Sequence, residues 1–245
     1  MVGIIFDLDG TLWNISSVCA DAWNQAVKVA NIPRIPITED DINGVSGLPF
    51  IECIKNIFPD IAEENIDKFS LLIEDCEKQE IKTRGGTLYK GVSENLDILS
   101  AHFPLFLVSN CEYWYLQVFL SMPLNISNSS KTFGDIFVDS ECFGRTQKPK
   151  ADNIIAICQR NNLTNAVYIG DTESDRLAAM RAGVDFIHAS YGFGNIESAN
   201  IKSAASFSEV ADMLLHKYYS YFQENRPRGE GTALLCPYDT CGSNT

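Results

Sequence analysis

The chain has 245 residues, 45% of them hydrophobic, enough for one large domain or a domain with a smaller partner. Its 32 acidic against 19 basic residues give a net charge of -13, a surface that repels nucleic acid and anionic membranes and argues against either as a partner. No apolar run reaches the length of a membrane span, and the first strand begins at once with no basic region and cleavable apolar stretch before it, so a cytoplasmic protein is expected.

Val2-Gly3-Ile4-Ile5-Phe6 is a short apolar run that reads as a strand buried on both faces of a parallel sheet. It ends in Asp7-Leu8-Asp9-Gly10-Thr11, which puts two carboxylates just past the C-terminal end of the strand, where open α/β sheets bind ligands. Like charges so close are costly without a cation between them, so the segment asks for a metal, and a metal beside a free carboxylate points to phosphate chemistry. A helix-loop-helix calcium site needs further oxygen ligands at fixed offsets, which Thr11-Leu12-Trp13-Asn14-Ile15 does not supply.

Helical periodicity follows over residues 16–31, with Val18, Ala22, Ala26, Val27 and Ala30 on one side, until Pro33 and Pro36 break it. Thr38 before Glu39-Asp40-Asp41 reads as an N-cap with acids in the first turn. Gly44 and Gly47 frame a loop containing Ser46, and further helices are expected over 50–58 and 62–83, before Gly85-Gly86. Residues 15–84 thus form an all-helical insertion after the first strand.

An α/β pattern then takes over. Strands are expected over 105–110, 135–138, 166–171 and 185–189, and helices over 92–101, 151–161, 174–182 and 208–223, with Gly183 stopping the third of these helices. Such alternation implies right-handed crossovers and a parallel sheet. The expected architecture is α/β: a Rossmann-like three-layer core of residues 1–14 and 85–225 with an inserted helical domain of residues 15–84. The tail over 226–245 lacks periodicity and is expected to be flexible. The cysteines lie mostly singly in apolar or helical stretches and read as buried thiols, and Cys236 and Cys241 lack the second pair that a zinc site needs.

Several strand ends carry polar groups: Asp7 and Asp9, then Ser109 with Asn110, then Asp171, with Asp175 one helical turn later. Lys148 and Lys150 precede the helix that leads to the Asp171 strand. If these ends are adjacent in one sheet, carboxylates, a hydroxyl, an amide and a lysine converge. That set suits phosphoryl transfer, with a hard divalent cation, a lysine and a hydroxyl on the phosphate and a carboxylate free to attack phosphorus.

These four motifs in order, Asp7-Leu8-Asp9-Gly10-Thr11, Ser109-Asn110, Lys148-Pro149-Lys150 and Gly170-Asp171-Thr172-Glu173-Ser174-Asp175, resemble those of the haloacid dehalogenase superfamily over residues 1–222. The insertion resembles the C1 cap of phosphoglycolate-phosphatase-like members. The resemblance implies a phosphatase acting on a small phosphorylated metabolite through an aspartyl-phosphate on Asp7, with Asp9 as general acid and base. It implies Mg²⁺ held by Asp7, the Asp9 carbonyl and Asp171, with Asp175 binding through water or orienting its neighbours. Ser109 would bind the phosphoryl group with Asn110 supporting it, and backbone amides around Leu8 to Gly10 would cradle the same group. Thr11 of the first motif is a candidate substrate-binding residue, and Ser46 lies where such caps contact substrate. The motif lysine is Lys150 or Lys148, and Lys150-Ala151-Asp152 fits the family's lysine-small-acid form better. Dehalogenating members lack the second acid of the first motif, so the presence of Asp9 and Asp171 turns the expectation away from that chemistry. A phosphosugar mutase of the β-phosphoglucomutase kind, or a non-catalytic binding protein on the same scaffold, are the alternatives. Phosphoglycolate, a sugar phosphate and a nucleoside monophosphate all fit as the substrate, and phosphoglycolate is only weakly disfavoured, because the cap arginines, Arg34 and Arg84, sit near its borders.

Overall fold

The computed structural model describes residues 2–126, 129–196 and 201–224. The tail over 226–245, with Cys236 and Cys241, lies outside the described residues.

Six parallel strands form the central sheet: β1 (Val2–Phe6), β4 (Leu105–Ser109), β5 (Phe137–Cys142), β6 (Asn165–Gly170), β7 (Asp185–Ala189) and β8 (Ser203–Ala204), in the order β5-β4-β1-β6-β7-β8. Alternate side chains serve opposite faces. Ile5, Phe106, Val108 and Tyr168 pack with Ile154, Ile157, Ala178 and Ala179 of helices α8 (Lys150–Arg160) and α9 (Glu173–Ala182). On the other face Ile4, Phe6, Leu105, Leu107 and Ile169 pack with Val92 and Leu96 of α5 (Val92–Ser100) and Phe207, Val210 and Leu214 of α10 (Phe207–Glu224). Both faces are therefore covered, which is why β1 and β4 are continuous apolar runs. Gly183, at φ +71, ends α9 in the left-handed conformation.

Four helices follow β1: α1 (Ser16–Val29), α2 (Glu39–Val45), α3 (Phe50–Ile57) and α4 (Glu63–Arg84). Thr38 and Asp41 cap α2 reciprocally. The helices have an aromatic centre in which Trp23 stacks on Phe58 and Phe58 meets Phe69 edge-on. Both links to the sheet domain run through a short antiparallel pair, β2 (Trp13–Asn14) with β3 (Thr87–Leu88).

Five features depart from the sequence expectation. The strand expected at residue 135 starts at Phe137, because Asp135 closes a 3₁₀ turn capped by Thr132. Helices α6 (Tyr113–Ser121) and α7 (Phe143–Thr146), the β2–β3 pair and strand β8 appear where no element was expected.

Candidate active site

The three polar strand ends are neighbours because β1 lies between β4 and β6. Asp7, Ser109 and Asp171 thus meet at the C-terminal edge of the sheet, where the strand order reverses. Carboxylate oxygens of Asp7, Asp171 and Asp175 lie within 4.8 Å of one another, and all three residues are buried.

Lys150, at the first position of α8, puts its ammonium into this cluster, 3.0 Å from Asp7 Oδ1 and 2.6 Å from Asp175 Oδ1. Lys148 is exposed, and its main chain is tied to Thr146 and Asn153. Of the two candidate lysines, only Lys150 reaches the carboxylates.

Asp175 has two tasks. One oxygen meets Lys150 and the other accepts from the Thr172 amide and hydroxyl at 2.9 and 2.7 Å, closing the N-terminal box of α9. Asp171 Oδ2 accepts from the Phe193 amide at 2.8 Å, while Thr11 donates to Oδ1 at 3.4 Å. The Thr11 side chain is therefore turned to Asp171, and Thr11 is absent from the cavity wall described below. His188 Nε2 meets the Asp171 carbonyl at 3.1 Å, a structural contact.

Gly10 makes the close approach of the first motif to Asp171 possible. Its φ is +76, and a Cβ there would lie 2.2 Å from Asp171 Oδ2.

Asp9 faces elsewhere. Its carboxylate accepts from Trp13 Nε1 at 2.9 Å and from the Tyr115 hydroxyl in a short hydrogen bond. Burial pushes its pKa to about 6 against the lowering effect of these two donors. Trp13 is thus a fixed support of Asp9, and Tyr115 of α6 joins it from more than a hundred residues away.

The electrostatics of the cluster favour a cation. Burial raises the Asp7 pKa well above the carboxylate range; Lys150 opposes this, and Asp175, Asp171 and Asp9 add to it. Asp171 is pushed to about 7 by burial and by Asp175, against the Phe193 amide and Lys150. Burial alone would lower the Lys150 pKa, but Asp175 and Asp7 outweigh it and raise the pKa, so the ammonium stays charged. One lysine facing three buried carboxylates leaves negative charge uncompensated, and an all-oxygen donor set of this kind fits a hard divalent ion.

Asp7, Asp9 and Ser109 form the floor of a cavity of about 110 Å³ between the sheet domain and the helical insertion. Its roof comes from Trp23, Ile42, Ser46, Phe50, Cys53 and Glu77, and Asn110 and Trp114 also line it. Asn110 Nδ2 donates to the Gly47 carbonyl at 2.7 Å, tying the second motif to the loop that carries Ser46. Phe193 of the 191–194 loop lines the cavity too.

A model of the haloacid dehalogenase-like hydrolase family matches residues 4–189. The chain belongs to that family. In curated relatives of this hydrolase, a phosphoglycolate phosphatase of Psychrobacter arcticus is 30% identical over 239 residues, 88% of this chain and 96% of that protein. A phosphoglycolate phosphatase of Agrobacterium fabrum is 25% identical over 215 residues, 84% and 88% of the two chains. Among solved structures, a predicted phosphoglycolate phosphatase from Haemophilus somnus superimposes with a TM-score of 0.72 at 21% identity, covering 86% of this chain and 96% of that one. A haloacid dehalogenase-like hydrolase from Streptococcus pneumoniae gives 0.70 at 22% identity, covering 86% and 97%. These structural likenesses establish the α/β fold of the hydrolase. No described helix is long and apolar enough to cross a membrane.

The sequence overlooked Tyr115, Trp23 and Glu77. Tyr115 carried only the signal of an aromatic cluster, and Glu77 that of one acid among many on a polar helix.

Proposed function

We propose that the chain is a Mg²⁺-dependent phosphatase that hydrolyses a small phosphomonoester through an aspartyl-phosphate on Asp7. The observation that carries this reading is the Asp7 carboxylate at the tip of β1, on the floor of the cavity and 3.0 Å from Lys150. The names of the curated relatives, phosphoglycolate phosphatases, support phosphoester hydrolysis.

An oxygen of Asp7 attacks phosphorus, and the bond from phosphorus to the alcohol oxygen breaks. Asp9 gives its proton to the departing oxygen. With a pKa near 6, Asp9 can hold that proton and later take one from the water that attacks phosphorus and frees Asp7. Tyr115 and Trp13 fix the direction of the Asp9 carboxyl. Lys150 neutralises phosphoryl oxygens from the α8 side, and Ser109, 3% exposed on the cavity floor, donates to them from the β4 side. Asp7, Asp171 and Asp175, together with the Asp9 carbonyl, would hold the Mg²⁺, which screens phosphoryl charge from the attacking carboxylate. The helical insertion is the cap over this site, joined to the core at β2 and β3, and its movement admits substrate. The described cysteines are unbridged, which suits a cytoplasmic setting.

Rapid acid quench during turnover, followed by peptide mass mapping, tests the covalent step. A phosphoryl group on the peptide containing Asp7, removed by hydroxylamine, is expected. Turnover with no modified peptide at any quench time would show that water attacks the ester directly.

A further inference from the structure

The cavity above Asp7 has a polarity that constrains the substrate beyond its phosphate. Glu77 of α4 is 7% exposed and lines the roof. Its Oε1 accepts from Trp23 Nε1 at 2.6 Å, and among the described residues the cavity wall contains no lysine, arginine or histidine. The cap arginines are engaged elsewhere: Arg34 donates to the Ile57 carbonyl and lies over Phe58, and Arg84 pairs with Asp21 and Glu80. Lys78, beside Trp114, pairs with Glu74 at 2.7 Å. Two further buried atoms on the wall, Asn110 Oδ1 and Trp114 Nε1, have no hydrogen-bond partner among the described residues.

We propose that the alcohol released by this enzyme carries a cationic nitrogen that meets Glu77, making the substrate a small amino-alcohol phosphate and not a phosphate bearing a second acid. This deepens the phosphatase reading above and rests on it. A buried carboxylate without a counter-charge is unfavourable, and a substrate ammonium supplies that charge. Asn110 Oδ1 offers a second acceptor, and Trp114 Nε1 can donate to an oxygen of the alcohol. A carboxylate in the same position would be desolvated next to Glu77 and Asp9, with no cation among the described residues of the wall to receive it. Burial already raises the Glu77 pKa to about 7, against hydrogen bonds from Trp23 and Cys19, so a neighbouring cation has carboxylate charge to recover.

Three near-isosteric esters test this, differing only in the charge at the far end: 2-aminoethyl phosphate, 2-hydroxyethyl phosphate and phosphoglycolate. In the wild-type enzyme with Mg²⁺, kcat/KM is expected to fall in that order, by about tenfold or more at each step. Glu77→Gln, which keeps an acceptor for Trp23, should lower the first value and raise the third. Binding of the same three esters to Asp7→Asn, by calorimetry, reads the order without turnover. Should no ester be hydrolysed while the binding order holds, the phosphatase reading falls and the cation site stands. A flat or reversed order, in turnover or in binding, overturns the cation site alone, as does failure of Asp7→Asn to bind any of the three.

Discussion

The Lys150 ammonium lies 2.6 Å from Asp175 Oδ1, and Asp175 is at the same time the residue that caps α9 through Thr172. Lysine position and helix start are thus set by one side chain. The proposal assigns the phosphoryl charge to Lys150, so Lys150→Met should reduce kcat by about 10³-fold, within the range for losing a group that stabilises developing charge. Lys148→Ala should stay within about twofold of wild type, as surface changes do. Steady-state kinetics on both variants check this; comparable mild losses in the two would remove Lys150 from the role.

Tyr115→Phe keeps the ring that meets Trp13 edge-on, with centroids 5.3 Å apart, and deletes only the hydroxyl that donates to Asp9. A hydrogen bond to a charged group is worth about 1.5–3 kcal/mol. The expected result is a fall in kcat of roughly 10- to 100-fold with KM nearly unchanged. A change confined to KM would mean that Tyr115 acts on substrate binding instead.

Gly10→Ala forces a side chain into a positive-φ position and into the Asp171 carboxylate. The left-handed backbone alone costs an L-residue about 1–2 kcal/mol. A drop in Tm of several degrees, together with loss of activity, is expected. A folded variant with wild-type Tm would show that the loop relaxes freely.

Glu77 makes stability depend on pH in a direction that can be worked out. Burial is the main cause of its rise from 4.5 to about 7, and the charges of Asp9 and Glu74 add to it, while Trp23 and Cys19 oppose it. The folded state therefore binds the proton more tightly than the unfolded chain. Its contribution is neutral below about pH 4.5, becomes unfavourable as pH rises, and reaches its full penalty above about pH 7. Glu77→Gln removes the penalty, so its Tm should exceed that of wild type at pH 8 by an amount corresponding to at most about 3 kcal/mol. The two melts should converge near pH 5. An equal difference at both pH values would rule out the buried charge as the cause.

The core of the site was legible because each motif combines a strand signal with an adjacent polar group. Asp7, Ser109 and Asp171 each terminate an apolar β-branched or aromatic run, and parallel pairing of these runs is enough to bring them together. Lys150 was favoured over Lys148 on its local form, and the buried start of α8 accounts for the difference in their positions. Contacts distant in sequence were not legible. Tyr115 meets Asp9 only because α6 packs beside the first motif, and Tyr113-Trp114-Tyr115 lacks the polar face that marks a surface helix. Glu77 belongs to a helix rich in charge, and only Trp23 across the cap distinguishes it from the solvated acids around it. The β2–β3 pair has two residues per strand, too few for any alternation to register.

The most direct measurement is inorganic phosphate release from a small phosphomonoester by wild type and Asp7→Asn, each with Mg²⁺ and with a chelator. Release that needs the metal and disappears in Asp7→Asn is the predicted result. Undiminished release by Asp7→Asn, or equal release by wild type in the presence of the chelator, would contradict the assignment of Asp7 and its carboxylate cluster as the reacting centre.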